Sequence, residues 1–182
     1  MKKILIRWLG LRYHGTNVNY PVVQTTDNDY YLTHAFDKSK NSAGWIFADY
    51  RCNLQNFGRN TIIYGHNRRN TTMFGSLLNT LNSNWYENRD NTIIYLSTPK
   101  YNTMWQVFSI YTIDKEAKYL TTYFETDDDY ISFLDTMKSR SIHEFNCEVD
   151  SKDSILTLST CANNDDYRVV VQAKLIKREI RN

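Results

Sequence analysis

The chain has 182 residues, with 22 Lys and Arg against 20 Asp and Glu, and a net charge of +2 that gives no electrostatic case for binding nucleic acid. Hydrophobic residues make up 41% and charged residues 23%, with two prolines and six glycines, which excludes disordered, collagen-like and linker material. It reads as one globular domain over residues 1–182, long enough to bury a core without a disulfide or metal staple.

In chain order, two lysines precede an apolar run at residues 4–6, but Arg7 interrupts it and no small-residue cleavage site follows, so it is not a leader peptide. Strand-like material begins almost at once. No stretch reaches the roughly 18 apolar residues of a membrane helix. Short strands are expected at 20–24 and 44–48. Between them, 27–36 suits a short helix with Tyr30, Tyr31 and Ala35 inward. The run Thr61-Ile-Ile-Tyr64 is strand-like and leads into Gly65, His66 and a polar basic turn at 67–70. Residues 71–81 place Phe74, Leu77, Leu78 and Leu81 at helical spacing. Strands follow at 92–96 and 105–113. The pentapeptide Asn-Thr-Ile-Ile-Tyr occurs at 60–64 and 91–95, but its flanks do not match, so these are two similar strands and not a repeat. A helix over 126–138 opens with Thr126 as N-cap and acids at 127–129, which suit the positive end of the helix dipole better than a cation site. Strands at 154–158 and 168–176 complete a mainly β pattern, which points to a closed or nearly closed β-barrel with a few peripheral helices.

Three side chains carry candidate chemistry. The strand beginning at Ser154 ends in Cys161 before a polar loop, so the thiol falls at the rim of a sheet. Arg168 opens the next strong strand; if the two strands are neighbours, its guanidinium can lower the thiol pKa and hold an oxyanion. His66 leaves its strand where a general acid or base would sit. For each of these the plainer alternative is a structural residue. Cys52, Cys147 and Cys161 cannot all pair within one chain. No C-x-x-C or paired-histidine spacing suggests a metal, His14, His34 and His143 read as structural, and no glycine-rich phosphate loop calls for a nucleotide. No cofactor is expected.

The segment Thr157-Leu-Ser-Thr-Cys161 followed by Arg168 resembles the T-L-x-T-C…R signature of sortases, the cysteine transpeptidases of Gram-positive cell surfaces. The blocks 20–32, 44–51 and 60–67, with Met73-Phe-Gly75 behind the last, resemble class B sortases in the same order, and the likeness runs from about Gly10 to Lys174. The resemblance implies an eight-stranded barrel, with the 126–138 helix between its sixth and seventh strands. It implies Cys161 as nucleophile, His66 as acid and base, and Arg168 steadying the oxyanion, with help from the backbone N–H of Ala162. Asn28, Leu32, Tyr64, Asn67 and Ser159 match or flank positions that contact the sorting signal. The implied partners are surface proteins bearing a C-terminal N-P-x-T-x-type sorting signal, and an amine of the peptidoglycan precursor or of a pilin. The implied place is the outer face of the cell membrane, reached through an anchor that this chain does not carry. Two alternatives stay open: a protease of the same fold that only hydrolyses the signal, and an inactive peptide-binding module.

Overall fold

The computed structural model describes residues 9–114, 118–161 and 167–181, with Cys161 placed by its backbone. Its strands are β1 (Leu9–Tyr13), β2 (Asn19–Val22), β3 (Phe47–Ala48), β4 (Asn60–His66), β5 (Ile93–Ser97), β6 (Tyr101–Asp114), β7 (Ile155–Cys161) and β8 (Tyr167–Ile180). Two α-helices, α1 (Ser83–Glu87) and α2 (Asp127–Ser139), lie outside the sheet. The strand order is β2-β1-β5-β6-β8-β7-β4-β3. A parallel bridge from Val23 to Phe47 joins the two ends, with Ala48 N–H donating to the Val23 carbonyl at 2.8 Å, so the sheet curls into a nearly closed barrel. The eight-stranded expectation holds.

Strand alternation separates two cores. On β8, Val169, Val171 and Ala173 point into the barrel with Leu11, Ile63, Ile94, Trp105 and Leu158. Val170 points out and packs with Phe108, Tyr111 and Ile155 beneath Tyr130, Leu134 and Met137 of α2. Both faces are covered at β4 as well, and all seven of its residues are buried. Strand β4 therefore carries an unbroken central run, Ile62-Ile63-Tyr64, where a half-exposed strand would alternate.

Helix α2 starts where the acids and Thr126 place it, through a reciprocal capping box. The Thr126 hydroxyl accepts from Asp129 N–H at 3.0 Å, and the Asp129 carboxylate accepts from Thr126 N–H at 3.1 Å. Arg59 pairs with Asp127 and lies over the Tyr130 ring, pinning the helix start to the strand side of the barrel.

Two expected helices take a different form. Over 27–36 there is a single 3-10 turn, Tyr30–Leu32. The Asp27 carboxylate accepts from the N–H groups of Asp29 and Tyr30, and such local side-chain bonds compete with an α-helical ladder. Tyr31 is buried, while Tyr30 and Ala35 are half-buried. Over 71–81 the chain forms a 3-10 segment, Gly75–Leu81. Thr71 and Met73 have φ of 62° and 54°, a left-handed backbone that delays helical geometry until Gly75. Phe74 and Leu77 still reach the core.

Candidate active site

Three adjacent strands set the site. β4 and β7 run parallel in a register that pairs His66 with Cys161. β7 pairs antiparallel with β8, from Ile155↔Lys174 to Ser159↔Val170, so the end of β7 at Cys161 and the start of β8 at Tyr167 and Arg168 lie at the same end of the sheet. The Thr160 hydroxyl accepts the Val169 N–H at 2.9 Å, which holds the two strands together at this end. The cysteine strand is thus flanked by the histidine strand on one side and the arginine strand on the other.

The His66 ring is fixed by its surroundings. Its Nε2 lies 2.7 Å from the Leu32 carbonyl. A carbonyl can only accept, so Nε2 carries a proton, and Nδ1 is the nitrogen left to give or take one. Nδ1 is buried with no partner among the described residues. Gly44 makes room for this ring: its φ is +58°, and a Cβ there would lie 2.8 Å from His66 Cδ2 and 2.5 Å from the Tyr31 carbonyl oxygen. Gly65 does the same behind the strand, where a Cβ would press on Ile46 and come within 2.7 Å of Phe74. The half-buried Arg168 also has an Nε with no partner among the described residues. Buried polar atoms that the protein leaves unmet are places where polar groups of a ligand fit.

Beside these groups opens a cleft of about 330 Å³ lined by Asn28, Leu32, Phe47, Tyr64, His66, Leu120 and Arg168. It therefore gathers five of the residues singled out in the sequence. Asn67 sits just beyond the histidine, half-buried and bridged to Met73. Ser159 is fully buried, with its hydroxyl 2.9 Å from that of Tyr119, beneath the cleft wall and not on its surface. Ala162 lies outside the described residues. The remaining histidines have plain roles: His34 stacks on Tyr30, His143 stacks on Tyr86 and contacts the Thr80 carbonyl, and His14 meets the edge of Tyr95. No cluster of three or more metal-ligating side chains occurs among the described residues.

Phe47 and Leu120 were not among the candidates, and neither was Asp49, which lies beneath the cleft. Burial alone would raise the Asp49 carboxyl, but hydrogen bonds from Arg51 and Tyr64 outweigh it and hold the group below its ordinary range. Burial, reinforced by the Asp49 charge, pushes the Tyr64 phenol well up, so it remains a neutral donor. The signal available in the sequence was an acid and an arginine two apart, Asp49 and Arg51, at the exit of an apolar run. Leu120 gave no signal, because the 118–120 segment comes from the connection between β6 and β7 and reaches the cleft only through tertiary packing.

Comparison with known proteins identifies the family and the fold. The sortase domain family model matches residues 11–176. Sortase B of Listeria monocytogenes is 34% identical over 181 residues, covering 98% of this chain and 72% of its own. Sortase B of Staphylococcus aureus is 39% identical over 182 residues, covering 97% of this chain and 72% of its own. Among solved structures, a Staphylococcus aureus sortase B–substrate complex superposes with a TM-score of 0.88 at 38% identity, over 97% of this chain and 81% of that one. A sortase B from Bacillus anthracis superposes with a TM-score of 0.87 at 36% identity, over 94% of this chain and 79% of that one.

Proposed function

The chain belongs to the sortase family, whose members are cysteine transpeptidases acting on sorting signals, and from that premise we propose which residues perform the reaction and on what. Cys161 is the nucleophile. Its thiolate attacks the threonine carbonyl of an N-P-x-T-x-type signal, forming the S–C bond and a tetrahedral oxyanion. Arg168 steadies that oxyanion, its Nε–H, without a partner among the described residues, being the available donor. His66, protonated, gives its Nδ1 proton to the leaving amine as the C–N bond breaks, which leaves a thioester on Cys161. An incoming amine attacks the thioester and loses a proton to Nδ1 as the C–S bond breaks, and the new amide departs. The Leu32 carbonyl on Nε2 keeps the ring in the orientation that both proton transfers need.

The observation that carries this reading is the paired register across β4, β7 and β8, which delivers a histidine, a cysteine and an arginine to one end of the sheet. Asn28, Leu32 and Tyr64 line the cleft beside them and are read as contacts for the signal. One related sortase B has been solved in complex with triglycine, which supports an amine acceptor of glycine type, supplied here by a cell-wall precursor or a pilin. The relatives come from Gram-positive bacteria, and the cell surface is the proposed place of action. Among the described residues no helix is long and apolar enough to cross a membrane.

The test is intact-protein mass spectrometry after incubation with an N-P-x-T-x peptide, with and without triglycine. The expected result is an acyl adduct on the wild type, absent from Cys161→Ala and discharged faster when the amine is present. Discharge at one rate whether or not amine is added would make the protein a hydrolase. An adduct that persists in Cys161→Ala would remove the assigned nucleophile.

A further inference from the structure

We propose that Asp49 is a positioning residue for the cleft: its carboxylate sets the orientation of Asn28 and Tyr64 and, through Arg51, holds the Leu120 wall in place before a peptide arrives. This rests on the reading of the cleft as the sorting-signal site.

Asp49 follows directly on β3 and is fully buried. Five donor contacts converge on its two oxygens. Oδ1 accepts from the Arg51 backbone N–H and from Arg51 Nε, both at 2.9 Å. Oδ2 accepts from Arg51 Nη2 at 2.7 Å, Tyr64 OH at 2.9 Å and Asn28 Nδ2 at 3.0 Å. A carboxylate offers about four lone-pair sites, so this one is saturated from within the protein and has none left for a substrate. It is a support and not a binder.

Each of those donors belongs to the cleft or leads to it. The Asn28 amide is fixed from both ends, since its Oδ1 also accepts the Tyr50 N–H at 3.0 Å. Flipping that amide would set its oxygen against the carboxylate and its NH2 against the Tyr50 N–H, two repulsions in place of two bonds. Asn28 therefore keeps one remaining Nδ2–H, a donor suited to a peptide carbonyl. Tyr64 spends its hydroxyl inward and leaves its ring as a wall. Arg51 Nη2 also reaches the Leu120 carbonyl at 3.0 Å, which fastens the 118–120 segment to the exit of β3. Asn28, Tyr64 and Leu120 come from three separate parts of the chain, and one carboxylate registers all three.

Asp49→Asn keeps the shape but puts an NH2 where one oxygen stood, facing donors on either side. The experiment compares steady-state cleavage of the N-P-x-T-x peptide with the rate at which iodoacetamide alkylates Cys161, a reaction too small to need the cleft walls. The expected result is a fall in kcat/KM of about tenfold, carried mainly by KM, with the alkylation rate unchanged. The loss should also be partly non-additive with Asn28→Ala, because the two changes share the Asn28–Asp49 bond. An unchanged KM, a parallel loss of alkylation, or additive losses would each overturn the proposal. If Asp49→Asn does not fold, Arg51→Lys serves instead: it keeps the charge beside Asp49 but lacks the fork that spans Asp49 and Leu120. It should raise KM in the same way, and an unchanged KM there would also overturn the proposal. A wild type that cleaves none of a panel of signals would bring down the functional reading instead, and the proposal with it.

Discussion

At the scale of single residues, the three cysteines differ by environment more than by sequence context. Burial pushes the Cys52 thiol up to about 11, against a partial offset from the Ile62 N–H that its sulfur accepts. Burial also raises Cys147, which sits beneath α2. Only the thiolate is an effective nucleophile, so both are quiet at neutral pH. In Cys161→Ala, iodoacetamide at about pH 7 should therefore label almost nothing, with labelling of Cys52 appearing only as the pH climbs toward about 11. Prompt labelling at neutral pH, read by mass spectrometry, would contradict this. The sign for stability follows the same shift: the Cys52 contribution is intact below the ordinary thiol pKa and is lost as pH rises through about 11. The candidates Cys161, His66 and Arg168 were legible because each stands at a change from apolar strand to polar turn. Asp49 was not singled out: Arg51 two residues on is a local mark, but the Asn28 and Tyr64 donors that tie it to the cleft arrive only by folding.

At the scale of elements, α2 was the clearest reading because its start and its stripe agree. Thr126 and the acids define the N-terminus, and Tyr130, Leu134 and Met137 form the buried face, with Phe133 beside them. Thr126→Ala removes the hydroxyl half of the capping box and should cost about 1 kcal/mol, lowering the melting temperature by roughly 2–4 °C in a chain of this size. Calorimetry would measure this, and turnover should hardly change, since the helix packs on the outer face of the sheet, away from the cleft. The two misread elements fail for the opposite reason. At 27–36 and 71–81 the apolar spacing is helical, but the backbone is claimed by Asp27 and by the left-handed Thr71 and Met73. Spacing reports which side chains face inward, and it did so correctly for Tyr31, Phe74 and Leu77. It does not report which ladder of backbone bonds carries them.

At the scale of the whole molecule, the decisive contact is the parallel pairing of β4 with β7, which joins residues far apart in the chain, from Asn60↔Ile155 to His66↔Cys161. Asn60 ties that pairing to the cleft. Its Oδ1 accepts from the Thr157 hydroxyl at 2.7 Å, and its Nδ2 donates to the Thr121 carbonyl at 2.9 Å and to that of Tyr119 at 3.3 Å. Asn60→Ala would leave a hydroxyl and two carbonyls without that partner at a buried site and should cost about 2–3 kcal/mol. Urea denaturation would show it as a lower midpoint at unchanged slope. The sequence alone determined the mainly β class, the positions of most strands and the α2 helix, and it singled out Cys161, His66 and Arg168 as candidates. These follow from local composition, periodicity and motif order, which a chain carries whether or not it is folded. Only the tertiary structure decided that His66 and Arg168 lie on the strands either side of Cys161, that Ser159 is buried against Tyr119, and that Asp49 gathers the cleft walls. Those facts depend on strand register and on packing between distant segments, which arise from the global minimum of burial and hydrogen bonding and which local sequence does not encode.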